Sequence, residues 1–120
     1  METDIELALT RIESRCHEML VEGVPDNYFL EDRCQQGYGL VLRSNLSRSD
    51  DELNEKIYKF LEPILPLVSL LQDSGCILRI GVFNKSLTTT LFLSFTVIEA
   101  LGCLNASIEI SVYPVDESVE

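Results

Sequence analysis

Ala106-Ser107-Ile108-Glu109-Ile110-Ser111-Val112-Tyr113 changes polarity at every step. In an extended chain Ala106, Ile108, Ile110 and Val112 share one side, and Ser107, Glu109, Ser111 and Tyr113 share the other. This is the period of a strand with one buried and one solvated face. Strands of that kind suit a sheet covered on one side only, and antiparallel sheets tolerate this where parallel ones rarely do. Pro114 cannot donate to a ladder and closes the strand. The residues after it, 115–120, predict an acidic flexible tail, which leaves 1–114 as a single domain.

Working back from this strand, Cys76-Ile77-Leu78-Arg79-Ile80-Gly81-Val82-Phe83 is a second strand, and Gly37 to Arg43 a third. Asp4 to Arg11 fits two periods. Ile5, Leu7 and Leu9 alternate with Asp4, Glu6 and Ala8, while Ile5, Leu9, Ile12, Cys16 and Met19 fit one helical face. The alternation favours a strand at Ile5 to Leu9, followed by a short helix from Ile12 to Val21 that Gly23 and Pro25 end. Asp26 to Gly37 has no period and is expected to be a loop.

Ser49-Asp50-Asp51-Glu52 has the form of a capping box. Behind it Leu53, Ile57, Phe60, Leu61, Ile64, Leu65 and Val68 recur at three- and four-residue spacing, the mark of a helix with one buried face. Pro63 and Pro66 should kink or divide that helix, and Gly75 suits its C-terminal end. Ser94 is placed to cap a last helix carrying Phe95, Val97, Ile98 and Leu101. The expected fold class is α+β: a mainly antiparallel sheet of about four strands with helices packed on one face.

Charge supplies the main functional clue. Twenty Asp and Glu against nine Lys and Arg give a net charge of −11 on 120 residues, yet 46% of the residues are hydrophobic. That apolar content is too high for a disordered acidic chain, so the acids belong on the surface of a folded one. Such a surface repels nucleic acid and anionic lipid and attracts basic proteins. The first 32 residues hold nine acids and two arginines, a balance of −7. Asp50, Asp51, Glu52 and Glu55 form a second group. Tyr28 and Phe29 lie beside the first group and Tyr58 beside the second, and acids with tyrosine suit a protein interface. The expected partner-binding residues are Asp26, Tyr28, Glu31, Asp32, Asp50, Asp51 and Glu55.

Motifs for other chemistry are missing from the sequence. Gly37-Tyr38-Gly39 lacks the third glycine of a dinucleotide loop, and no basic stripe offers phosphate contacts. Cys16, Cys34, Cys76 and Cys103 contain no CxxC pair, and His17 is the only histidine, so neither a metal nor a cofactor is expected. The longest apolar run, Ile64 to Leu71, is interrupted by Pro66 and Ser69 and is too short to span a bilayer. The start Met1-Glu2-Thr3-Asp4 has no signal-peptide pattern. A cytoplasmic, non-enzymatic protein is expected.

Several stretches of the later half have a family character. They are Tyr38-Gly39-Leu40-Val41-Leu42-Arg43-Ser44, the helix ending Leu70-Leu71-Gln72-Asp73-Ser74-Gly75-Cys76, Leu93 to Gly102, and Ala106 to Pro114. Residues 38–114 thereby resemble a family of small bacterial α+β domains of uncharacterised function. That family includes immunity proteins encoded beside polymorphic or contact-dependent growth-inhibition toxins. The resemblance implies an immunity protein that occludes a cognate toxin, and the acid surplus points to a basic one such as a nuclease. It carries over no functional residue. Two alternatives stand beside it: a non-enzymatic cytosolic domain whose acidity serves solubility, and a small enzyme using Cys34 or His17.

Overall fold

The computed structural model describes residues 2–12, 14–33, 39–45, 47–84 and 90–115. The fold is α+β. Six strands form one sheet: β1 (Glu2–Leu9), β2 (Tyr28–Asp32), β3 (Leu40–Ser44), β4 (Arg48–Ser49), β5 (Cys76–Asn84) and β6 (Ser107–Pro114). Their order is β2-β3-β1-β5-β6, with β4 paired to the start of β1. The helices are α1 (Ser14–Gly23), α2 (Leu53–Leu61), α3 (Val68–Leu71) and α4 (Phe95–Cys103). Among the described residues no helix is long and apolar enough to cross a membrane.

The sheet is mainly antiparallel with helices beside it, as expected, but it is wider than about four strands and is mixed. It has six strands, and β6 runs parallel to β5, with Leu78 opposite Ile108, Ile80 opposite Ile110 and Val82 opposite Val112. The parallel pairing follows from connectivity: α4 lies between β5 and β6, so the chain crosses over and re-enters the sheet in the same direction. The other pairings are antiparallel.

Strand β1 takes the extended alternative. Thr3, Ile5, Leu7 and Leu9 are buried, and β1 pairs with β5 over its whole length. An amphipathic helix there could not supply both neighbours of a central strand. The segment expected as a loop, Asp26 to Gly37, instead contributes β2, pairing Tyr28–Asp32 with Ser44–Leu40. Residues 34–38, and with them the Gly37-Tyr38 start expected for the third strand, lie outside the described residues.

The amphipathic face after Asp51 is buried as its spacing requires. Leu53, Ile57, Phe60, Leu61 and Ile64 join Leu78, Ile80 and Val82 in one core cluster. The two prolines divide the helix as expected: α2 ends at Leu61, Glu62–Leu67 is a 3₁₀ turn, and α3 resumes at Val68. Pro63 and Pro66 supply no amide donor, so the α-helical ladder breaks there and the chain continues as a short 3₁₀ turn. Ser94 caps α4 by accepting from the Val97 amide at 3.3 Å.

The start of α2 is built differently from a Ser49–Glu52 capping box. Ser49 belongs to β4, opposite Thr3. Its hydroxyl instead meets the Asp51 amide at 3.4 Å. Glu52 is itself the N-cap, accepting from the amides of Asn54 at 3.1 Å and Glu55 at 2.7 Å. Pairing of β4 with β1 draws Ser49 away from the helix, and Glu52, directly before Leu53, takes its place.

The end of β1 is gripped by a loop glycine. Gly39 has φ +72°, and a Cβ there would sit 2.4 Å from the Leu9 carbonyl oxygen. Gly39→Ala should therefore cost about 2–3 kcal/mol through left-handed strain and a backbone clash. Gly102 in α4 has nothing within 4 Å of an added Cβ. Gly102→Ala should stabilise by about 0.5–1 kcal/mol through helix propensity alone. Urea titration of the two variants checks both signs.

Candidate partner-binding surface

The sheet has one face under the helices and one open, and the open face concentrates the arginines. Glu6, on the outward side of β1, receives Arg33 at 2.8 Å and Arg79 at 3.1 Å, with Arg43 at 3.7 Å. Arg43 also holds Asp4 through two contacts of 2.9 and 3.2 Å. Arg79 reaches Glu109 at 3.0 Å, and Arg33 reaches Glu31 at 2.5 Å. Arg48 pairs with Glu2 and lies 4.3 Å over the Phe83 ring, which stacks on Tyr113 with centroids 5.2 Å apart. Of these, the bidentate and partly buried Arg43–Asp4 pair is of the stronger type of surface ion pair. Beside them a hollow of about 170 Å³ is lined in part by Glu6, Arg79, Gly81 and Tyr113. Its charges already satisfy one another.

Four of the six arginines are consumed in this way. The consequence appears on the other side of the molecule. Between residues 50 and 73 six acids, Asp50, Asp51, Glu52, Glu55, Glu62 and Asp73, are all exposed, against Lys59 and a buried Lys56. Lys59 is engaged with Glu55 at 3.1 Å. Acids therefore outnumber cations on this stretch, while four arginines are held on the open face; Arg11 lines a hollow with Asp73 at its far end.

Lys56 anchors the start of this acidic layer. Its ammonium donates to the Thr3 carbonyl at 2.8 Å and to the Ser49 carbonyl at 3.1 Å, tying α2 to β1 and β4. Burial pushes its pKa down, and the nearby carboxylates of Asp4, Asp51, Glu2 and Asp50 oppose that shift. Asp50 and Asp51 stand ahead of the helix, outside it. The Glu52 carboxyl titrates below its ordinary range because the amides of Glu55 and Asn54 donate to it. Glu52 is thus occupied as a cap, while Asp50 and Asp51 face solvent.

A hollow of about 320 Å³ opens at this point. Asp50, Asp51 and Glu52 form one side of it, and Leu91 and Phe92 the other. Asn54 fixes its shape by donating to the Phe92 carbonyl at 2.6 Å and accepting from the Ser94 amide at 2.7 Å. Phe92 remains 75% exposed. Acids facing an exposed aromatic wall suit a basic side chain with an apolar stem.

The seven sequence-predicted residues do not share one surface. Tyr28 is corrected from interface to core: it is 7% exposed, its ring lies 5.3 Å from that of Phe60, and its hydroxyl donates to the Phe60 carbonyl at 2.5 Å. The hydroxyl thereby satisfies a helix carbonyl while the ring fills the core. Glu31 lies on the open face with Arg33. Asp32 is exposed at the far end of β2, and Asp26 in the turn before it. Asn27, next to Asp26, lines a small hollow together with Asp51. The turn before β2 and the approach to α2 are thus neighbours. Glu55 is exposed on α2. Phe92 was not singled out from the sequence, because its neighbourhood to Asp50 exists only through Asn54.

Of the thiols, Cys76 is buried and donates to the Leu71 carbonyl at 3.0 Å, and burial pushes its pKa up to about 11. That is opposite to the shift that activates a nucleophilic cysteine. Cys34, the thiol weighed for catalysis beside His17, lies outside the described residues. Among the described residues no three His, Cys, Asp or Glu side chains gather as a metal-binding set. Comparison of the chain with family models, with curated proteins and with solved structures finds no match.

Proposed function

We propose that this protein is an immunity protein that neutralises a basic bacterial toxin, a nuclease by class, using the acidic helix side as the contact surface. The observation that carries the proposal is the segregation of charge: four arginines held on the open face of the sheet and an excess of exposed acids on the helix layer. A nuclease must hold polyphosphate, so its cleft is basic. An acidic inhibitor is drawn to that cleft by long-range attraction, and its bulk then excludes substrate. The resemblance of residues 38–114 to immunity-protein domains supports the same conclusion. In this proposal Asp50 and Asp51 receive an arginine or lysine whose stem lies on Leu91 and Phe92. Asp26 and Glu55 sit at the rim, and Glu31 and Asp32 contribute least.

Growth protection tests the function, and binding tests the surface. Coexpression should rescue cells from the toxin domain encoded beside the gene. Titration of that toxin with Asp50→Ala/Asp51→Ala should show a loss of about 2–5 kcal/mol in affinity, as expected when a buried charge partner is truncated. Glu31→Ala/Asp32→Ala should alter affinity far less, since Glu31 is already engaged with Arg33. Protection without any effect of the Asp50/Asp51 pair would move the contact elsewhere. Absence of both protection and binding would refute the function.

A further inference from the structure

The strand with the cleanest alternation in the sequence, β6, has neither side fully covered. Ile108, Ile110 and Val112 point to the same side as buried Leu78, Ile80 and Val82, yet they are 40%, 46% and 45% exposed. The helix layer stops short of them: α4 packs chiefly against α2. On that same side α4 leaves Phe95 and Ile98 exposed. Among the described residues no strand pairs with the outer edge of β6. A long, flat, apolar edge is what soluble proteins normally shield with lysines, bulges or a covering segment, because its free amides and carbonyls template pairing. In β6 the single charge is Glu109, which Arg79 holds at 3.0 Å.

From this edge we infer that the protein forms a two-fold homodimer by antiparallel pairing of β6 with β6 of a second copy. The sequence of the strand is self-complementary about Ile110. With Ile110 on the axis, Ile108 of each copy opposes Val112 of the other, and all three apolar pairs fall on one side. Glu109 then opposes Ser111. Centring on Glu109 instead would set two carboxylates directly opposite, which is unfavourable. A shift by one residue would place the apolar side of one copy next to the polar side of the other.

Area and charge both favour a second copy over the basic toxin. The exposed parts of Ile108, Ile110, Val112 and Tyr113, with Phe95 and Ile98 on the helix side, sum to roughly 550 Å² before the edge backbone is counted, against the ~800 Å² per partner of a typical stable interface. A basic partner would find almost no acid here, whereas two copies of a −11 chain repel everywhere except at such a neutral face. An isologous contact of this type also closes, so it yields a dimer and no fibre.

The test is the mass of the full chain in solution, by sedimentation equilibrium across micromolar concentrations. The expected result is twice the 13.5 kDa chain mass. Ile110→Asp places two like charges on the axis and should return the monomer, with circular dichroism unchanged because Ile110 is already half exposed. Register is read from single added cysteines in a Cys16→Ser/Cys34→Ser/Cys103→Ser background that keeps only the buried Cys76. Antiparallel partners lie about 4.5–5.5 Å apart at Cα, within disulfide range. Ile110→Cys should therefore cross-link to itself on oxidation, and Ile108→Cys should not. A monomer at every concentration would overturn the inference. So would a dimer that survives Ile110→Asp, or equal cross-linking at both positions.

Discussion

Phe60→Ala is expected to destabilise the protein by about 3–5 kcal/mol. Phe60 is 3% exposed and lies where α2 meets β2, its ring against Tyr28 and its carbonyl accepting the Tyr28 hydroxyl. Removing the ring leaves a cavity bounded by Tyr28 and the sheet. Rigid strands on that side cannot collapse into it, so the loss should fall towards the upper part of the range. For a domain whose whole stability is of order 5–15 kcal/mol, this is a large fraction. Urea titration should show a lower midpoint at unchanged slope. Phe95→Ala is the matched control. Phe95 is 78% exposed, so in the isolated chain its loss should change stability by no more than about 0.5 kcal/mol.

The second large effect is alkaline. Burial pushes the Tyr28 hydroxyl up to about 12 from 10.0 and the Cys76 thiol up to about 11 from 9.0. Both groups are neutral when protonated, so the folded state holds their protons longer than the unfolded state does. Their contribution is therefore complete below pH 9. It is lost as pH rises, through Cys76 between 9 and 11 and through Tyr28 between 10 and 12. Each rise corresponds to at most about 2–3 kcal/mol, reduced by whatever water reaches the group. Lys56 acts in the opposite sense. Its folded value is lowered, so stability gains as pH climbs from that value to its ordinary 10.5. Unfolding free energies followed from neutral pH to pH 12 should fall steepest above pH 10. Cys76→Ala should remove the early part of the slope and Tyr28→Phe the late part, whatever each substitution does at neutral pH. A flat profile in the parent protein would contradict the burial of both groups.

Some of this architecture was legible in the residues. The alternation in β1 and β5 and the three- and four-residue spacing of Leu53, Ile57, Phe60, Leu61 and Ile64 are local periods, and each period names its own buried side. Pro63 and Pro66 divide the helix because a missing amide hydrogen is a property of the residue itself. Ser94 caps α4 for an equally local reason. The candidate surface was legible only in part. Asp50 and Asp51 read as exposed acids and are exposed, but their hollow needs Phe92, brought there from 38 residues away by Asn54.

The remaining features depend on partners distant in the chain. Tyr28 sits in a stretch without period, and whether it serves core or interface is decided by Phe60, 32 residues on. Ser49 and Glu52 compete to cap α2, and the competition is settled by a two-residue pairing with β1. The arginines look scattered along the sequence, yet Glu6 gathers Arg33 and Arg79 across 27 and 73 residues. That gathering holds both arginines on the open face, away from the acids of the helix side. The alternation of Ala106 to Tyr113 established a strand with one apolar side, but it could not say whether a helix would cover that side. Periodicity records which residues point together. What they meet is set by the direction of the crossover and the reach of the helix layer, and in this fold that layer ends before β6.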